Sequence, residues 1–305
     1  MNPVSDPDAG VDPAATFEAE RARLTGLAYR MLGSLSDAED VVQEAWLRWQ
    51  RVDHDEIRNP AAWLTTASTR LALDRLRTQR RRREDYVGPW LPEPVSTRSA
   101  PSALPGSDPE QATELAESMT LGFLVVLDRL GPVERAVFLL ADVFGEPYAD
   151  IATMVDRSPE ACRQIASRAR RKVREERDHA TPVDEEQLAN LVGALMLGDL
   201  DAVLSLLSPE VVLVSDGGPN RRAARRPVLG PAKVARLMVN LTHRLPTDGE
   251  IAFEQVNAAP ALVLRSPEMT VAMVADRDDD GAISVVRILI NPDKLAGLDH
   301  PVEFD

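Results

Sequence analysis

The sequence contains little cysteine, few histidines and no long apolar run. Its single cysteine, Cys162, excludes a disulfide framework and is typical of a protein of the reducing cytosol. Its four histidines show no metal-ligand spacing, so we expect no metal site. No segment approaches the roughly 20 apolar residues that span a bilayer. The acidic start MNPVSDPDAGVDP lacks the basic and apolar parts of a signal peptide. We therefore expect a cytoplasmic protein without membrane contacts.

The chain also lacks a net positive charge. Its formal net charge is -14, which argues against indiscriminate binding to nucleic acid. The arginines are nevertheless concentrated locally, because the stretch from Arg70 to Arg83 contains seven of them and one acidic residue, Asp74. Any contact with nucleic acid must therefore be made by local patches. The length of 305 residues predicts two or three domains.

A helix-turn-helix is predicted between residues 145 and 177. Its first helix is short and apolar, and a tight turn follows at Asp156 and Arg157. Ser158 is a suitable N-cap for the second helix, with Pro159 at the first helical position, where its missing N–H costs nothing. The apolar seam predicted for this second helix consists of Ala161, Ile165 and Ala169.

The other faces of the second helix are polar and basic, as a DNA-reading helix requires. The candidates for contact with bases and phosphates are Ser158, Arg163, Gln164, Ser167, Arg168, Arg171 and Lys172. A solvated basic helix on an ordinary bundle would show the same pattern, so the motif alone leaves both interpretations open. We interpret Cys162, on the same helix, as a small packing residue rather than a reactive thiol.

The N-terminal part is predicted to be a polar tail followed by helices. Residues 1–15 are rich in proline and aspartate, so we expect a disordered tail there. Within SDAEDVVQEAWLRWQR one helix face is apolar, whereas a second stripe combines acidic, amide and aliphatic side chains. Such a stripe suits a protein partner better than a nucleic acid. It consists of Asp40, Gln43, Glu44 and Leu47.

A basic helix is predicted to begin at Asn59 and Pro60, in NPAAWLTTASTRLALDRLRTQRRRR. Its C-terminal half is strongly basic, which suits both the helix dipole and a phosphate backbone. The use of arginine rather than lysine favours nucleic acid over a merely solvated face. Trp63 either stacks on an unpaired base or belongs to the core.

Two parts of the chain resemble a known family. The run DAEDVVQEAWLRW followed by NPAAWLTTASTRLALDRLR is similar to region 2 of the bacterial extracytoplasmic-function sigma factors. The segment LDRLGPVERAVFLLADVFGEPYADIATMVDRSPEACRQIASRARRKV resembles their region 4. Each motif is moderately specific, and both in this order on one chain are highly specific.

The resemblance implies a role for each set of candidate residues. The stripe Asp40, Gln43, Glu44 and Leu47 would dock on the clamp of RNA polymerase, and the helix from Ser158 would bind the promoter -35 element. The residues that would open and read the -10 element are Trp63, Arg70, Asp74, Arg75, Arg77 and Arg80. Arg70 departs from the family, which commonly has an asparagine there to hold a flipped base. Base capture by an amide therefore does not carry over to this chain.

Residues 86–112, between the predicted region 2 domain (16–85) and region 4 domain (113–178), are rich in proline and predict an extended linker. The motif WLPEP, with Trp90, Leu91 and Pro92, is unusual because large apolar residues are poor choices for a solvated tether. Either it contacts the domain that precedes it, or it docks on another domain of the same chain. It resembles a motif of sigma factors that carry a C-terminal extension, which favours docking.

The extension, residues 184–298, is different in kind and precedes a short tail, 299–305. Two amphipathic helices separated at Gly198 and Asp199 come first, and a run of strands comes last. This order predicts an α+β fold with one strongly curved sheet. The segment GDLDAVLSLLSPEVVLVSDGG resembles the SnoaL-like cone domains, which implies an apolar pocket. The resemblance to the extended sigma-factor subgroup also implies interdomain contacts through Asp216, Gly217, Gly218, Asn291, Pro292, Asp293, Lys294 and Leu295.

The expected fold is thus multidomain, with two all-α domains and a C-terminal α+β cone. The resemblance implies a sigma factor that directs RNA polymerase core, through its clamp and flap, to promoter DNA. It further implies that the cone regulates activity within the chain, without a separate anti-sigma factor. A simple DNA-binding regulator would not need the polymerase-facing stripe. An enzyme would need convergent acid and base residues, for which Asp216 and His243 are the candidates. We expect no enzymatic activity and no cofactor, except an unidentified small-molecule ligand in the cone.

Overall fold

The computed structural model describes residues 12–97, 116–177 and 181–298. The predictions for most of the N-terminal tail, for the linker after residue 97 and for the tail 299–305 concern residues outside these ranges. Within the described residues, no helix is long and apolar enough to cross a membrane.

Three helices form the N-terminal region: α1 (Pro13–Leu32), α2 (Leu35–Trp49) and α3 (Pro60–Glu84). The prediction of a disordered tail through residue 15 is wrong for its last residues. The side chain of Asp12 accepts from the Ala14 N–H at 2.9 Å, and Pro13 occupies the first helical turn, so α1 begins earlier. Asn59 caps α3 as its position predicts, since its side chain accepts from the Ala62 N–H at 3.1 Å.

A second helical region consists of α4 (Leu121–Asp128), α5 (Pro132–Phe138), α6 (Tyr148–Val155) and α7 (Pro159–Arg177). A single π-helical turn, Leu139–Val143, extends α5. The two helical regions are not separate bodies, because one hydrophobic core contains buried residues of both, including Leu27, Leu76, Leu127, Leu139 and Ile151. The relative position of the regions is therefore set by close packing.

The C-terminal domain combines helices and one sheet. Its helices are α8 (Glu185–Leu197), α9 (Leu200–Leu206), α10 (Pro231–Thr242) and the short α11 (Pro292–Leu295). Its strands are β1 (Thr181–Pro182), β2 (Leu207–Asp216), β3 (Val228–Leu229), β4 (Glu250–Val256), β5 (Ala259–Arg265), β6 (Thr270–Arg277) and β7 (Ile283–Leu289). The order is β3-β2-β7-β6-β5-β4, with β1 paired to β6. Only β2 and β7 pair in parallel among these strands. Since β1 belongs to the sheet, the domain begins before the predicted boundary at residue 184.

Both faces of this sheet are covered. Alternate residues of a strand point to opposite faces, and in β6 Met273 belongs to the core under the helices, whereas Val274 belongs to a second apolar cluster. That second cluster also contains Leu91 of the linker and Leu121 of α4. The sheet therefore has one face toward its own helices and one toward the rest of the chain.

Candidate DNA interface and interdomain junctions

The helix-turn-helix has the geometry that its local chemistry predicts. Asp156 adopts the left-handed conformation, with φ 55°, and ends α6. Ser158 caps α7, because its hydroxyl accepts from the Ala161 N–H at 3.2 Å. The predicted seam is only partly correct, since the buried face of α7 consists of Cys162, Ala166, Ala169 and Val173. Ala161 and Ile165 are half-buried at its border. The interpretation of Cys162 as a packing residue is confirmed.

The predicted DNA-binding side chains of α7 lie on its exposed side. Arg163, Gln164, Ser167, Arg168 and Arg171 are exposed, as is Ser158 at the cap. Lys172 is exposed too, but its ammonium donates to both carboxylate oxygens of Glu134 at 2.9 Å. A phosphate would have to compete with that carboxylate for Lys172.

The stripe on α2 that was predicted to face a protein partner is exposed along its whole length. Asp40, Gln43 and Glu44 are exposed, and Leu47 is one of the few large apolar side chains left in solvent, at 39%. Arg75 of α3 donates to Asp37 and to Asp40 of α2. Asp40, a residue of the stripe, is therefore fixed by a side chain of the neighbouring helix.

The residues predicted to read the -10 element are distributed over different surroundings. Trp63 is half-buried with its ring centroid 5.4 Å from that of Trp49, so part of its surface belongs to the core. Asp74 and Arg77 are exposed and form an ion pair at 2.8 Å. Arg75 points from α3 toward α2, where it pairs with Asp37 and Asp40. The side chain of Arg80 lies outside the described residues.

Arg70 marks a contact between the two helical regions. Its guanidinium Nη2 donates to the backbone carbonyl of Thr153 in α6, at 2.7 Å. Nearby, the buried Arg135 of α5 donates to the Met31 carbonyl at 2.6 Å. Arg83 of α3 pairs with Asp128 of α4. The basic helix α3 therefore packs against the helix-turn-helix in this arrangement.

The linker segment, residues 86–97, lies in a junction centred on Asp216 at the end of β2. The Asp216 carboxylate accepts from the Tyr86 hydroxyl at 2.7 Å, the Leu91 N–H at 2.9 Å and the Lys294 ammonium at 2.7 Å. Asn291 donates to the Tyr86 hydroxyl at 2.9 Å, and the Lys294 ammonium also donates to the Leu91 carbonyl. We call these five residues the linker junction.

Close backbone approach at two glycines completes the linker junction. A Cβ on Gly218, which has φ 57°, would lie 2.6 Å from the Asn291 amide nitrogen, and Gly217 has no room for a Cβ either. On the other side, Trp90 lies so close to Gly33 that a Cβ there would be 2.7 Å from its ring. Leu295 is buried in the same apolar cluster as Leu91.

The WLPEP motif contacts both the N-terminal helices and the C-terminal domain. Trp90 stacks under the Arg83 guanidinium at 3.3 Å to the ring centroid and faces Lys294 at 4.1 Å. Glu93 accepts from the Leu35 N–H at 2.7 Å, at the start of α2. The two alternatives for this motif are therefore not exclusive. Pro92 is buried with it, whereas Pro292 and Asp293 of the predicted set are exposed.

A second contact, which we call the hairpin junction, was not predicted. Asn257, at the turn between β4 and β5, donates from its side chain to the Tyr29 hydroxyl at 2.7 Å and to the Met119 carbonyl at 2.9 Å. Its side-chain oxygen accepts from the Val95 N–H at 3.0 Å. An asparagine at a hairpin turn is an ordinary local signal. Its long-range partners have no signal in the sequence.

Comparison with known proteins decides the family. Models of Sigma-70 region 2 and Sigma-70 region 4 match residues 16–82 and 122–173. The chain is 38% identical over 296 residues to "ECF RNA polymerase sigma factor SigJ" of Mycobacterium tuberculosis H37Rv, which covers 92% of both chains. It is 32% identical to "Probable ECF RNA polymerase sigma factor SigI" of the same strain, over 93% of this chain and 95% of the relative. The chain belongs to the extracytoplasmic-function sigma factors.

A solved structure supports the same conclusion for the whole sigma factor. The crystal structure of Mycobacterium tuberculosis SigJ is similar with a TM-score of 0.71 and 36% identity, over 93% of this chain and 99% of that one. Two helical regions followed by an α+β domain, the predicted fold class, are confirmed. The protein is thus a factor of RNA polymerase for promoter recognition.

The enzyme candidates of this sigma factor are not brought together in a site. Asp216 is buried in the linker junction, on the face of β2 away from the helices α8 and α10. His243 is exposed directly after α10. Among the residues that the structure describes, no group of three or more His, Cys, Asp or Glu side chains could hold a metal ion.

Lys294 is expected to make stability depend on pH. Burial lowers the pKa of its ammonium to about 8 from 10.5, although the nearby Asp216 opposes the shift. Between these values the folded chain has lost a proton that the unfolded chain keeps. Stability should therefore rise with pH across this window, and be lost as the pH falls through 8.

Thermal unfolding of the wild type and Lys294→Met, measured from about pH 7 to about pH 9.5, checks this dependence. The wild type should gain stability relative to the variant as pH rises, because the variant lacks the titrating group. Lys233→Met, at an exposed lysine of α10, should follow the wild type. Parallel curves for wild type and Lys294→Met would contradict the expected pKa.

Proposed function

We propose that this sigma factor reads promoter DNA at both ends, with α3 at the -10 element and α7 at the -35 element. In the same proposal the α2 stripe docks on the polymerase clamp and the second helical region on the flap. Two observations support it. The predicted side chains of α7 share one exposed face, and the α2 stripe is exposed and includes the solvent-facing Leu47.

Promoter binding should depend unequally on the arginines of α7. Arg168→Ala is expected to weaken -35 binding by about tenfold or more, because a charge-assisted contact to DNA is lost. Arg171→Ala, nearer the C-terminal end of α7, removes a candidate contact that we assign to a phosphate, and it should reduce the salt dependence of binding by about one ion. Both can be measured by fluorescence anisotropy on promoter duplex over a salt series, with the holoenzyme.

The matched control for these variants is Arg236→Ala, at an exposed arginine of α10 in the C-terminal domain. It should leave both affinity and salt dependence unchanged. Equal affinity of wild type and Arg168→Ala at every salt concentration would remove α7 from the promoter interface.

The same proposal makes the C-terminal domain an in-chain regulator. Arg70, a predicted -10 contact, donates to Thr153 of the helix-turn-helix, so α3 is partly covered by the element that would bind -35 DNA. Both elements can engage one promoter only when these helices separate. The single observation that carries the regulatory role is Asp216, whose buried carboxylate binds the linker segment to the C-terminal domain.

The linker segment connects the two promoter-reading regions, so whatever holds it also limits their separation. In this proposal the C-terminal domain of the same chain restrains the two promoter-reading regions, so no separate anti-sigma factor is required. The C-terminal domain acts without catalysis, since its acidic residue at the junction is used for binding the linker.

Run-off transcription with core polymerase tests the regulatory proposal. Lys294→Met should change transcript yield from the cognate promoter several-fold, because the linker junction loses its buried cation, whereas Lys233→Met should not. Removal of residues 292–305 should have the same effect as Lys294→Met. Unchanged transcription and polymerase affinity in both altered proteins would contradict in-chain regulation while leaving the sigma-factor function intact.

A further inference from the structure

A cavity lies on the helix-facing side of the C-terminal sheet, bordered by α8 and α10. Its volume is about 500 Å³, within the range of ordinary small-molecule sites. Its walls are the apolar side chains of α8, α10 and the five long strands of the sheet, such as Leu195, Leu241, Leu262, Met273 and Ile288. Transfer of an apolar molecule from water into an apolar cavity of this size is favourable.

The charged side chains that line the cavity are all basic. Among the lining residues, the charged ones are Arg222 and Arg244, and no acidic side chain accompanies them. Both arginines are also exposed to solvent, so they line the cavity where it opens to water. Ser215 and Thr242 also line it. Guanidinium groups bind carboxylates and phosphates in a bidentate manner.

We propose that this cavity binds a small amphiphile with an apolar body and one anionic group, such as a medium-chain carboxylate. The apolar part lies among the side chains of α8, α10 and the sheet. The anionic group is bound by Arg222 and Arg244 at the solvent end. A neutral apolar molecule would leave these arginines unused, and a cationic one would be repelled by them.

The cavity shares a strand and a loop with the linker junction. In β2, Ser215 faces the cavity, and the next residue, Asp216, binds the linker segment. The Ser215 hydroxyl accepts from the Ala224 N–H at 2.9 Å, which ties the strand to the loop that carries Arg222. Arg225 of this loop lies against Gly88, where a Cβ would be 3.5 Å from the arginine Cα. Occupancy of the cavity should therefore alter linker docking, a consequence that rests on the proposed regulatory function.

Calorimetric titration of the full chain with three probes of equal chain length tests the site. Dodecanoate should bind with one site per chain, dodecanol more weakly, and dodecyltrimethylammonium not at all. The double variant Arg222→Gln, Arg244→Gln should weaken dodecanoate by about tenfold or more and leave dodecanol unchanged. Arg236→Gln, outside the cavity, should leave all three unchanged. No saturable binding of dodecanoate, or equal binding of the ammonium probe, would overturn the proposal.

A cavity-filling variant separates binding in the cavity from binding elsewhere. Leu241→Trp adds bulk at a half-buried lining position, and Leu204→Trp adds the same bulk at a half-buried position outside the lining. Only the first should abolish dodecanoate binding, with thermal unfolding confirming that both variants fold. Retained binding in Leu241→Trp would place the ligand elsewhere and overturn the proposal.

Hydrogen exchange tests the coupling by itself. Saturating dodecanoate should change exchange at the Leu91 amide, which donates to Asp216, but not in the double arginine variant. Binding without a change at Leu91 would overturn the coupling while the site stands. A changed exchange rate with unchanged transcription would count against the regulatory proposal instead.

Discussion

Asp216→Ala is expected to release the linker segment and to lower the free energy of unfolding by about 3–5 kcal/mol, the usual cost of breaking a buried ion pair. Asp216 is 1% exposed and Lys294 is 7% exposed, so neither charge is compensated by water. Without the carboxylate, the Lys294 ammonium loses its counter-charge, and the Leu91 N–H and the Tyr86 hydroxyl lose their acceptor. Denaturant unfolding followed by circular dichroism measures the loss.

The matched control lies in the same predicted set. Asp293 is next to Lys294 in the sequence but is exposed, so Asp293→Ala should change stability by less than about 0.5 kcal/mol. Asp216→Asn retains the shape but not the charge and should lie between the two. Equal stability of Asp216→Ala and Asp293→Ala would show that the linker junction does not stabilise the fold.

Asn257→Ala is expected to lower the free energy of unfolding by about 4 kcal/mol or more through the hairpin junction. The side chain is fully buried and makes three hydrogen bonds, to Tyr29, Met119 and Val95. Each buried partner that loses its bond costs about 1–3 kcal/mol. Asn257 also has φ 53°, a conformation that costs alanine about 1 kcal/mol more than asparagine.

Asn257→Gly separates these two contributions, because glycine adopts positive φ freely but cannot make the hydrogen bonds. It should be less destabilised than Asn257→Ala by about 1 kcal/mol, yet still clearly weaker than the wild type. Hydrogen exchange at the Val95 amide, which donates to Asn257, should accelerate in both variants. Protection at Val95 equal to that of the wild type would mean that the hairpin does not hold the linker segment.

Local features could be predicted because their causes are local. Ser158 caps α7 and Asn59 caps α3 through bonds to N–H groups three residues away, so the residue types alone specify both helix starts. The seam of α7 was only partly predicted. Cys162 and Ala166 are small enough to lie on either side of a helix, and the position of α5 and α6 decides which side is covered.

Four of the five residues of the linker junction could be named, but Tyr86 and the long-range contacts of Arg70 and Asn257 could not. WLPEP, the stretch around Asp216 at the end of β2 and the stretch from Asn291 to Leu295 are recognisable as segments, and a resemblance connects them. Arg70 looks like any arginine of a basic helix, and its bond to Thr153 depends on how α3 packs against α6. Such partners are separated by many residues, so no local pattern contains them.

The sequence by itself determined the helix-turn-helix and the basic helix, because both rest on short-range spacing and capping. The family and the order of the domains followed from the resemblance of whole segments to known motifs. Only the tertiary structure decided that the two helical regions share one core and that the linker segment is buried on the C-terminal domain. It also decided that Asp216 faces the linker rather than the cavity. These contacts form because apolar surfaces from distant parts of the chain are buried against one another. Which surfaces meet depends on how the whole chain folds, so no local pattern reveals it.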